Sequence, residues 1–487
     1  MINTGVVINV IGVLLIMLGG FMLTSLFFST YYGSEDNLPI LYSAVTTVST
    51  GGLLWLLSRN SSKKIGKREG FLIVALGWCS VAIFSALPYL YSGVLPNLSN
   101  AFFESVSGLT TTGATVIQDI ESVPQGILFW RSLTQWIGGM GIIVLTVAIF
   151  PLLGIGGVEL FVAEAPGPTS DKIHPRIKET AKRLWYIYLG LTSMLIVLLF
   201  LNGMTFYDAF NHGLTTMATG GFSTKNASIA YFSEPAIQYI LAAFMFIAGI
   251  NYTLIYYGFK GRFTRIWKSD EFKTYLSLVI GLILIVTTAV YYFRGGEFER
   301  AFREATFQII SIITTTGYVS ADYTAWTPVL TLLFFLLFFI GACAGSTSGG
   351  IKIIRHLVIF KNSFLELRRL LHPKAIIRIK IDRKIVAPRV ITHIQVFLLF
   401  YLILFALGSL VMTVILNDFE QPFLTSIGAV ATSLGNVGPA IGQLGPMDTF
   451  AQVPIAGKWV LTILMLLGRL ELFTILILFT PYFWKRN

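Results

Sequence analysis

Four short threonine- and glycine-rich segments recur along this chain at nearly even spacing. They read TTTGAT around Gly113, MATGGFST around Gly220, TTTGYVS around Gly317 and ATSLGNVGP around Gly435. The glycines lie 107, 97 and 118 residues apart, and each interval holds helix-length apolar stretches. A backbone carbonyl can coordinate a dehydrated cation, and glycine lets the chain turn that carbonyl inward. Four such segments around one axis would form a ring of oxygens. The pattern points to an ion pore.

The rest of the chain is built for lipid. Charged residues make up 12% of it and hydrophobic residues 55%, whereas a soluble protein carries about 25% charged residues. Cys79 and Cys343 both sit in apolar runs, offering neither a disulfide framework nor a metal site. The first apolar run has no Lys or Arg before it and no small-residue cleavage site, which reads as an anchored helix.

The net charge of +11 is distributed in a way that excludes a nucleic-acid surface. Lys and Arg cluster at 59–68, 172–183, 260–273, 352–389 and at Lys485 and Arg486, holding 28 of the 35. The glycine segments and the 29–38 loop hold 14 of the 24 acidic residues. That alternation is the positive-inside signature. It places the basic loops and both termini in the cytoplasm and all four glycine segments on the outer side. An acidic outer face also concentrates cations at the mouth.

Apolar runs long enough to span about 30 Å of hydrocarbon fall at 5–28, 38–58, 70–93, 124–150, 182–202, 234–258, 273–293, 326–345, 390–416 and 454–481. Between the members of each later pair lies a shorter segment ending in a glycine motif. The fold class is therefore an all-α polytopic membrane protein: four parallel helix–pore-loop–helix repeats with pseudo-fourfold symmetry, plus two extra N-terminal helices. The expected units are 1–69, 70–170, 171–271, 272–385 and 386–487. Ten residues before the first three glycines stand Phe103, Phe210 and Phe307, followed by Glu104, Asn211 and Gln308; the fourth repeat has Phe423 twelve before. Thr112, Thr219 and Thr316 precede the first three glycines, and Leu434 the fourth. Val48–Gly52 echoes the motif faintly within the second helix and reads as a small-residue packing face.

The candidate ligands of the cation are main-chain oxygens of Thr111, Thr112, Ala218, Thr219, Thr315, Thr316, Ser433 and Leu434, with those of Gly113, Gly220, Gly317 and Gly435. Each half-helix aims its partly negative C-terminal end at the axis. No Asp or Glu reaches the ring, which suits a large monovalent ion better than a divalent one.

These segments, their order and the two extra helices resemble the TrkH branch of the Trk/Ktr/HKT potassium transporter superfamily over nearly the whole chain. The resemblance implies a multi-pass protein of the bacterial inner membrane that carries K+. It also implies a homodimer and a cytosolic nucleotide-binding regulatory subunit of the TrkA type on the basic inner loops. In that family a glycine in the first segment goes with preference for K+ over Na+, and Gly113 holds that position here. Ala440 departs from the pattern, standing where another glycine is expected. A sodium-selective or weakly selective carrier of the same architecture is the alternative within transport. A non-conducting enzyme or receptor scaffold is the alternative outside it.

Two features read as gating parts. The first is the run Gly341–Gly350, including Gly345, Ser346, Thr347, Ser348 and Gly349, which interrupts the second helix of repeat three. In the family the matching stretch obstructs the pore; as bare sequence it also suits a tight packing kink. It is no Walker A loop, because Ile351 occupies the lysine position. The second is Arg469 in the last helix, a charge expected to face the pore; Glu471, two residues on, does not face it. Arg131 reads as an interfacial anchor. The five histidines are dispersed, with no metal-ligand spacing and none placed as a base for Ser348, and no organic cofactor is implied. The alternating stretch Ile376–Ile381 is either a docking element or a solvated linker.

Overall fold

A computed structural model describes residues 2–61, 66–149, 177–372 and 378–485. Parts of the basic stretches 59–68, 172–183 and 352–389, together with Ile376 and Ile377, lie outside the described residues. An N-terminal hairpin, α1 (Thr4–Tyr32) and α2 (Asn37–Ser58), precedes four repeats. The first comprises α3 (Lys67–Ser85), α4 (Leu87–Tyr91), half-helix α5 (Leu98–Leu109) and α6 (Gln125–Ile149). The second comprises α7 (Ile177–Leu201), half-helix α8 (Phe206–Met217), α9 (Pro235–Ala248), α10 (Tyr252–Phe259) and α11 (Phe263–Lys268). The third has α12 (Asp270–Arg294), half-helix α13 (Phe298–Ile313), α14 (Pro328–Leu337) and α15 (Ile353–Leu371). A hairpin of β1 (Lys380–Ile381) and β2 (Lys384–Ile385) leads into the fourth: α16 (Pro388–Ile415), half-helix α17 (Pro422–Gly435), α18 (Ile455–Arg469), α19 (Phe473–Leu476) and α20 (Pro481–Trp484).

Among the described residues, six unbroken segments are long and apolar enough to span a membrane. They are the N-terminal pair and the leading span of each repeat: Arg68–Tyr91, Lys182–Leu201, Asp270–Arg294 and Pro388–Ile415. The second helices are all interrupted, which corrects four of the expected spans. The run 234–258 bends by 106° between α9 and α10, and 454–481 bends by 105° after α18. The run 326–345 stops being helical at Leu337, and α6 has a non-helical turn at Gly141 (φ 69°). Hydropathy does not register such breaks, because the residues stay apolar. Backbone freed at membrane depth is tolerated where protein surrounds it, and the breaks lie against one another around the centre.

The first two helices meet at Gly12 and Gly51, each so close to the other's carbonyl that a methyl would sit 2.7 Å from it. The Val48–Gly52 echo is thus a packing face, as expected. The stretch ending at Ile381 turns its apolar residues inward: Ile379, Ile381 and Val386 pack with Ile354, Val358 and Ile394. Its alternation is used within the chain.

A buried carboxylate ties the N-terminal pair to the repeats. The Ile127 N–H, in the first turn of α6, donates to Asp36 Oδ2 (2.8 Å). The hydroxyls of Ser34 (2.7 Å) and Ser29 donate to Oδ1. An anion at a helix N-terminus satisfies a free donor and meets the positive end of the dipole. Asp36→Ala removes three charge-assisted hydrogen bonds and leaves a buried N–H unpaired. It should destabilise the protein by about 2 kcal/mol, read as a lower unfolding midpoint in detergent. An unchanged midpoint would show that α6 needs no cap from the hairpin.

Candidate functional site

The four half-helices end in the same way, hydrogen bond for hydrogen bond. The N–H of Thr112, Gly220, Thr316 and Val437 donates back to the carbonyl of Ser107, Thr215, Ser311 and Thr432, at 2.8–2.9 Å. The residue before each donor is left-handed: Thr111 (φ 53°), Thr219 (53°), Thr315 (55°) and Asn436 (53°). The residue after is a glycine with positive φ: Gly113 (84°), Gly221 (77°), Gly317 (79°) and Gly438 (105°). This is a helix C-cap that leaves through a left-handed residue, used four times. A β-branched residue with φ above zero is strained, and strain of this kind concentrates at functional sites.

The four turns close into a ring. A methyl added to Gly113 would run into the Gly220 carbonyl oxygen, and one on Gly221 into that of Thr316. One on Gly317 would meet the Val437 oxygen, and one on Gly438 the Thr112 oxygen. Segment one touches two, two touches three, three touches four, and four returns to one. The glycines are required by that backbone approach as well as by their φ. Side chains stitch the same corners. Gln135 Nε2 donates to the Gly220 carbonyl (2.6 Å) and its Oε1 accepts from the Phe222 N–H (3.0 Å). Tyr318 pairs with the Thr215 hydroxyl (2.5 Å), Tyr323 donates to the Ala440 carbonyl (2.8 Å), and Asn436 Nδ2 donates to the Thr112 hydroxyl (3.0 Å).

This geometry corrects the alignment of the segments. Thr111, Thr112, Gly113, Thr315, Thr316 and Gly317 lie in the turns that close the ring. In segment two, Thr219 and Gly220 belong to it, but Gly221 rather than Gly220 is the counterpart of Gly113, and Ala218 that of Thr110. In segment four the register moves by three. Ser433, Leu434 and Gly435 form the last turn of α17, and Asn436, Val437 and Gly438 make the turn. Leu434 matches Leu109: the carbonyl of each is met by a glycine of the second helix, Gly468 and Gly138. Phe423, exposed at the start of α17, is therefore no counterpart of buried Phe103 and Phe307, whose equivalents are Asn211 and Gly428. The usable signal was Asn-x-Gly-Pro, a left-handed-tolerant residue two before a glycine.

The 341–350 run packs against the ends of the second and third half-helices, behind this ring. Thr347 Oγ1 donates to the carbonyls of Met217 (3.1 Å) and Ala248 (3.4 Å), and the Gly349 N–H donates to the Thr315 hydroxyl (2.6 Å). The run also threads the α9–α10 break: the Cys343 N–H donates to the Gly249 carbonyl (3.0 Å), and the Tyr252 N–H to that of Gly345 (3.1 Å). Arg469 crosses from the far side, donating to the carbonyls of Thr347 (2.9 Å), Gly139 (3.1 Å) and Gly138. Glu471 pairs with Arg355 instead. Buried Lys352, not singled out from sequence, donates to the Ser348 hydroxyl (3.1 Å) and carbonyl. Ser346 and Ser348 share a hydrogen bond (2.8 Å).

Arg131 is not an interfacial anchor. Its side chain is 2% exposed, its Nε donates to Glu104 Oε1 (2.7 Å), and its guanidinium lies 3.5 Å above the Phe222 ring. Nη1 donates to the Ser223 carbonyl (3.1 Å) in segment two. Glu104 also accepts from the Val116 N–H (2.9 Å) and Thr115 hydroxyl (2.9 Å), so it braces the strand returning from segment one. Breaking a buried ion pair from one side strands the other charge, at about 3–5 kcal/mol, whereas replacing both partners with apolar groups costs much less. Arg131→Met should therefore lower the unfolding midpoint in detergent more than the double variant Arg131→Met with Glu104→Leu. The reverse order would show that the pair is not electrostatically coupled.

A family model described as cation transport protein, TrkH, matches residues 39–486. The Trk system potassium uptake protein TrkH of Escherichia coli (strain K12) is 39% identical over 482 residues, covering 98% of each chain. That of Vibrio parahaemolyticus is 40% identical over 487 residues, covering 98% of this chain and 99% of its own. The crystal structure of the potassium transporter TrkH from Vibrio parahaemolyticus superimposes with a TM-score of 0.89 at 37% identity, covering 99% of this chain and all of that one. With the family model and these relatives spanning nearly its full length, the chain belongs to the TrkH family of cation transport proteins.

Proposed function

We propose that this chain carries K+ across the bacterial cytoplasmic membrane through a single pore whose filter is the ring of four left-handed turns. The observation that carries the reading is the closed cycle of backbone approaches from Gly113 through Gly221, Gly317 and Gly438. Backbone oxygens of Thr111, Thr112 and Gly113, of Thr219, Gly220 and Gly221, of Thr315, Thr316 and Gly317, and of Asn436, Val437 and Gly438 replace the ion's water. Four half-helix C-termini supply negative potential, and no carboxylate in these segments traps the ion. The basic loops and both termini face the cytoplasm. Two copies of the chain and a nucleotide-binding regulator on the basic inner surface complete the assembly that the family resemblance implies.

The 341–350 run and Arg469 form the gate. At an effective dielectric of about 20, a fixed unit charge about 8 Å from a passing monovalent cation raises its energy by about 2 kcal/mol, roughly a 30-fold penalty in occupancy. The strap and the guanidinium hold one another across the pore through the Thr347 carbonyl, so one motion shifts both the steric and the electrostatic barrier.

Cation flux into proteoliposomes tests the filter. Gly113→Ser and Gly438→Ala should each lower the K+ over Na+ preference by about tenfold or more, equivalent to about 1.4 kcal/mol. Unchanged ratios in both would remove the ring as the selectivity element, and a wild type favouring Na+ would replace K+ as cargo. Deleting residues 346–349, or Arg469→Gln, should raise flux in the absence of any regulator. Flux equal to or below wild type in both would leave the strap as packing.

A further inference from the structure

We propose that the exposed stretch from Phe259 to Lys268 is a binding surface for anionic phospholipid at the membrane boundary. Its level is set by its neighbour. The stretch runs directly into α12, whose 25 residues extend about 37 Å, enough to cross the hydrocarbon, so Phe259–Lys268 lies where that span meets water. The side chains suit a boundary. Phe259, Phe263 and Trp267, four residues apart, are 69%, 59% and 58% exposed. Interleaved with them are exposed Lys260, Arg262, Arg265 and Lys268.

Among the described residues the four cations have no internal counter-charge. From Tyr252 to Lys268 the sequence has no Asp or Glu. The first acids beyond are engaged elsewhere: Asp270 with Lys361 (3.1 Å), and Glu271 Oε1 with the Ala344 N–H (2.6 Å). Among the described residues no carboxylate pairs with any of the four. Arg265 lies 4.2 Å above the Tyr257 ring and Lys260 5.3 Å above that of Tyr256, whose hydroxyl accepts from Arg183 (2.7 Å). Aromatic side chains enter the acyl boundary while Lys and Arg stay at headgroup level, and uncompensated positive charge selects phosphate-bearing anionic lipid over zwitterionic lipid. The occupant is thus lipid rather than a protein, whose docking would leave three exposed aromatics to pair with specific pockets. This assignment stands apart from the ion reading.

The full chain, purified and reconstituted into phosphatidylcholine vesicles with added phosphatidylglycerol, provides the test. Fluorescence quenching is compared for brominated phosphatidylglycerol and brominated phosphatidylcholine at equal mole fraction. The Trp267 contribution is the difference between wild type and Trp267→Phe. Quenching of that contribution should be at least about twofold stronger with the anionic lipid, and the excess should shrink at about 0.5 M salt. It should vanish in the Lys260→Gln, Arg262→Gln, Arg265→Gln, Lys268→Gln variant; if that variant elutes as aggregate, Arg262→Gln with Lys268→Gln should halve the excess. Equal quenching by both lipids would overturn the proposal in favour of simple lipid burial. Quenching by neither would mean that water or another protein surface covers the stretch. An excess that survives neutralisation would remove the charges as its cause.

Discussion

The rest of this molecule is arranged around four helix ends that stop short of crossing it. A half-helix that stops inside a membrane leaves its last carbonyls without partners, and lipid offers none. Here each end is closed by the same pair of main-chain hydrogen bonds through a left-handed residue. The chain then turns back outward beside the next segment. Three of the left-handed residues are threonines, a costly choice for that conformation. Neighbours hold three of the four left-handed residues there: Thr219 and Thr315 each bond to the strap beneath, and Asn436 to segment one.

The backbone is fourfold, but the side chains behind it are not. The position facing the returning strand is Glu104 in repeat one, His212 in two, Gln308 in three and Ala429 in four. Glu104 holds Thr115 and Val116 and is neutralised by Arg131. His212 Nδ1–H donates to the Asp208 carbonyl (2.8 Å), with Nε2 at the Ser223 hydroxyl (2.9 Å). Gln308 donates to the Ala321 carbonyl (3.0 Å). In repeat four Ala429 can do nothing of the kind, and Tyr323 from repeat three braces Ala440 instead. The main-chain geometry repeats while each corner has its own polar solution, because a buried donor or acceptor needs some partner but no particular one.

The packing behind the half-helix ends follows from the broken second helices. Breaking α9–α10 frees the Gly249 carbonyl and the Tyr252 N–H, and the strap residues Cys343 and Gly345 take them up. Ending α18 at Arg469 puts Glu471 (φ 59°) and Leu472 (φ 50°) in strained conformations, with Glu471 held by Arg355 at the start of α15. The strap, the two breaks and the last helix therefore form one connected body. Arg355 and Lys352 link it to α15, whose far end carries Arg368 and Arg369 on the basic side.

Class, repeat number, the extra hairpin and the threonine- and glycine-rich segments that make the turns were all legible in the chain itself, because apolar length and recurring glycine are one-dimensional signals. The strap and Arg469 were legible too, as small residues and a charge where lipid-facing helices have neither. Register was not. Gly221 stands beside Gly220, and Gly438 three beyond Gly435; only the cap hydrogen bonds and left-handed dihedrals say which glycine makes the turn. Arg131 looked like an anchor because nothing in its own helix shows that Glu104 and Phe222 come from other segments to bury it. Local pattern records what a residue can do, whereas its partner and its place on the ring depend on contacts between residues about a hundred positions apart, which exist only once the four repeats have closed.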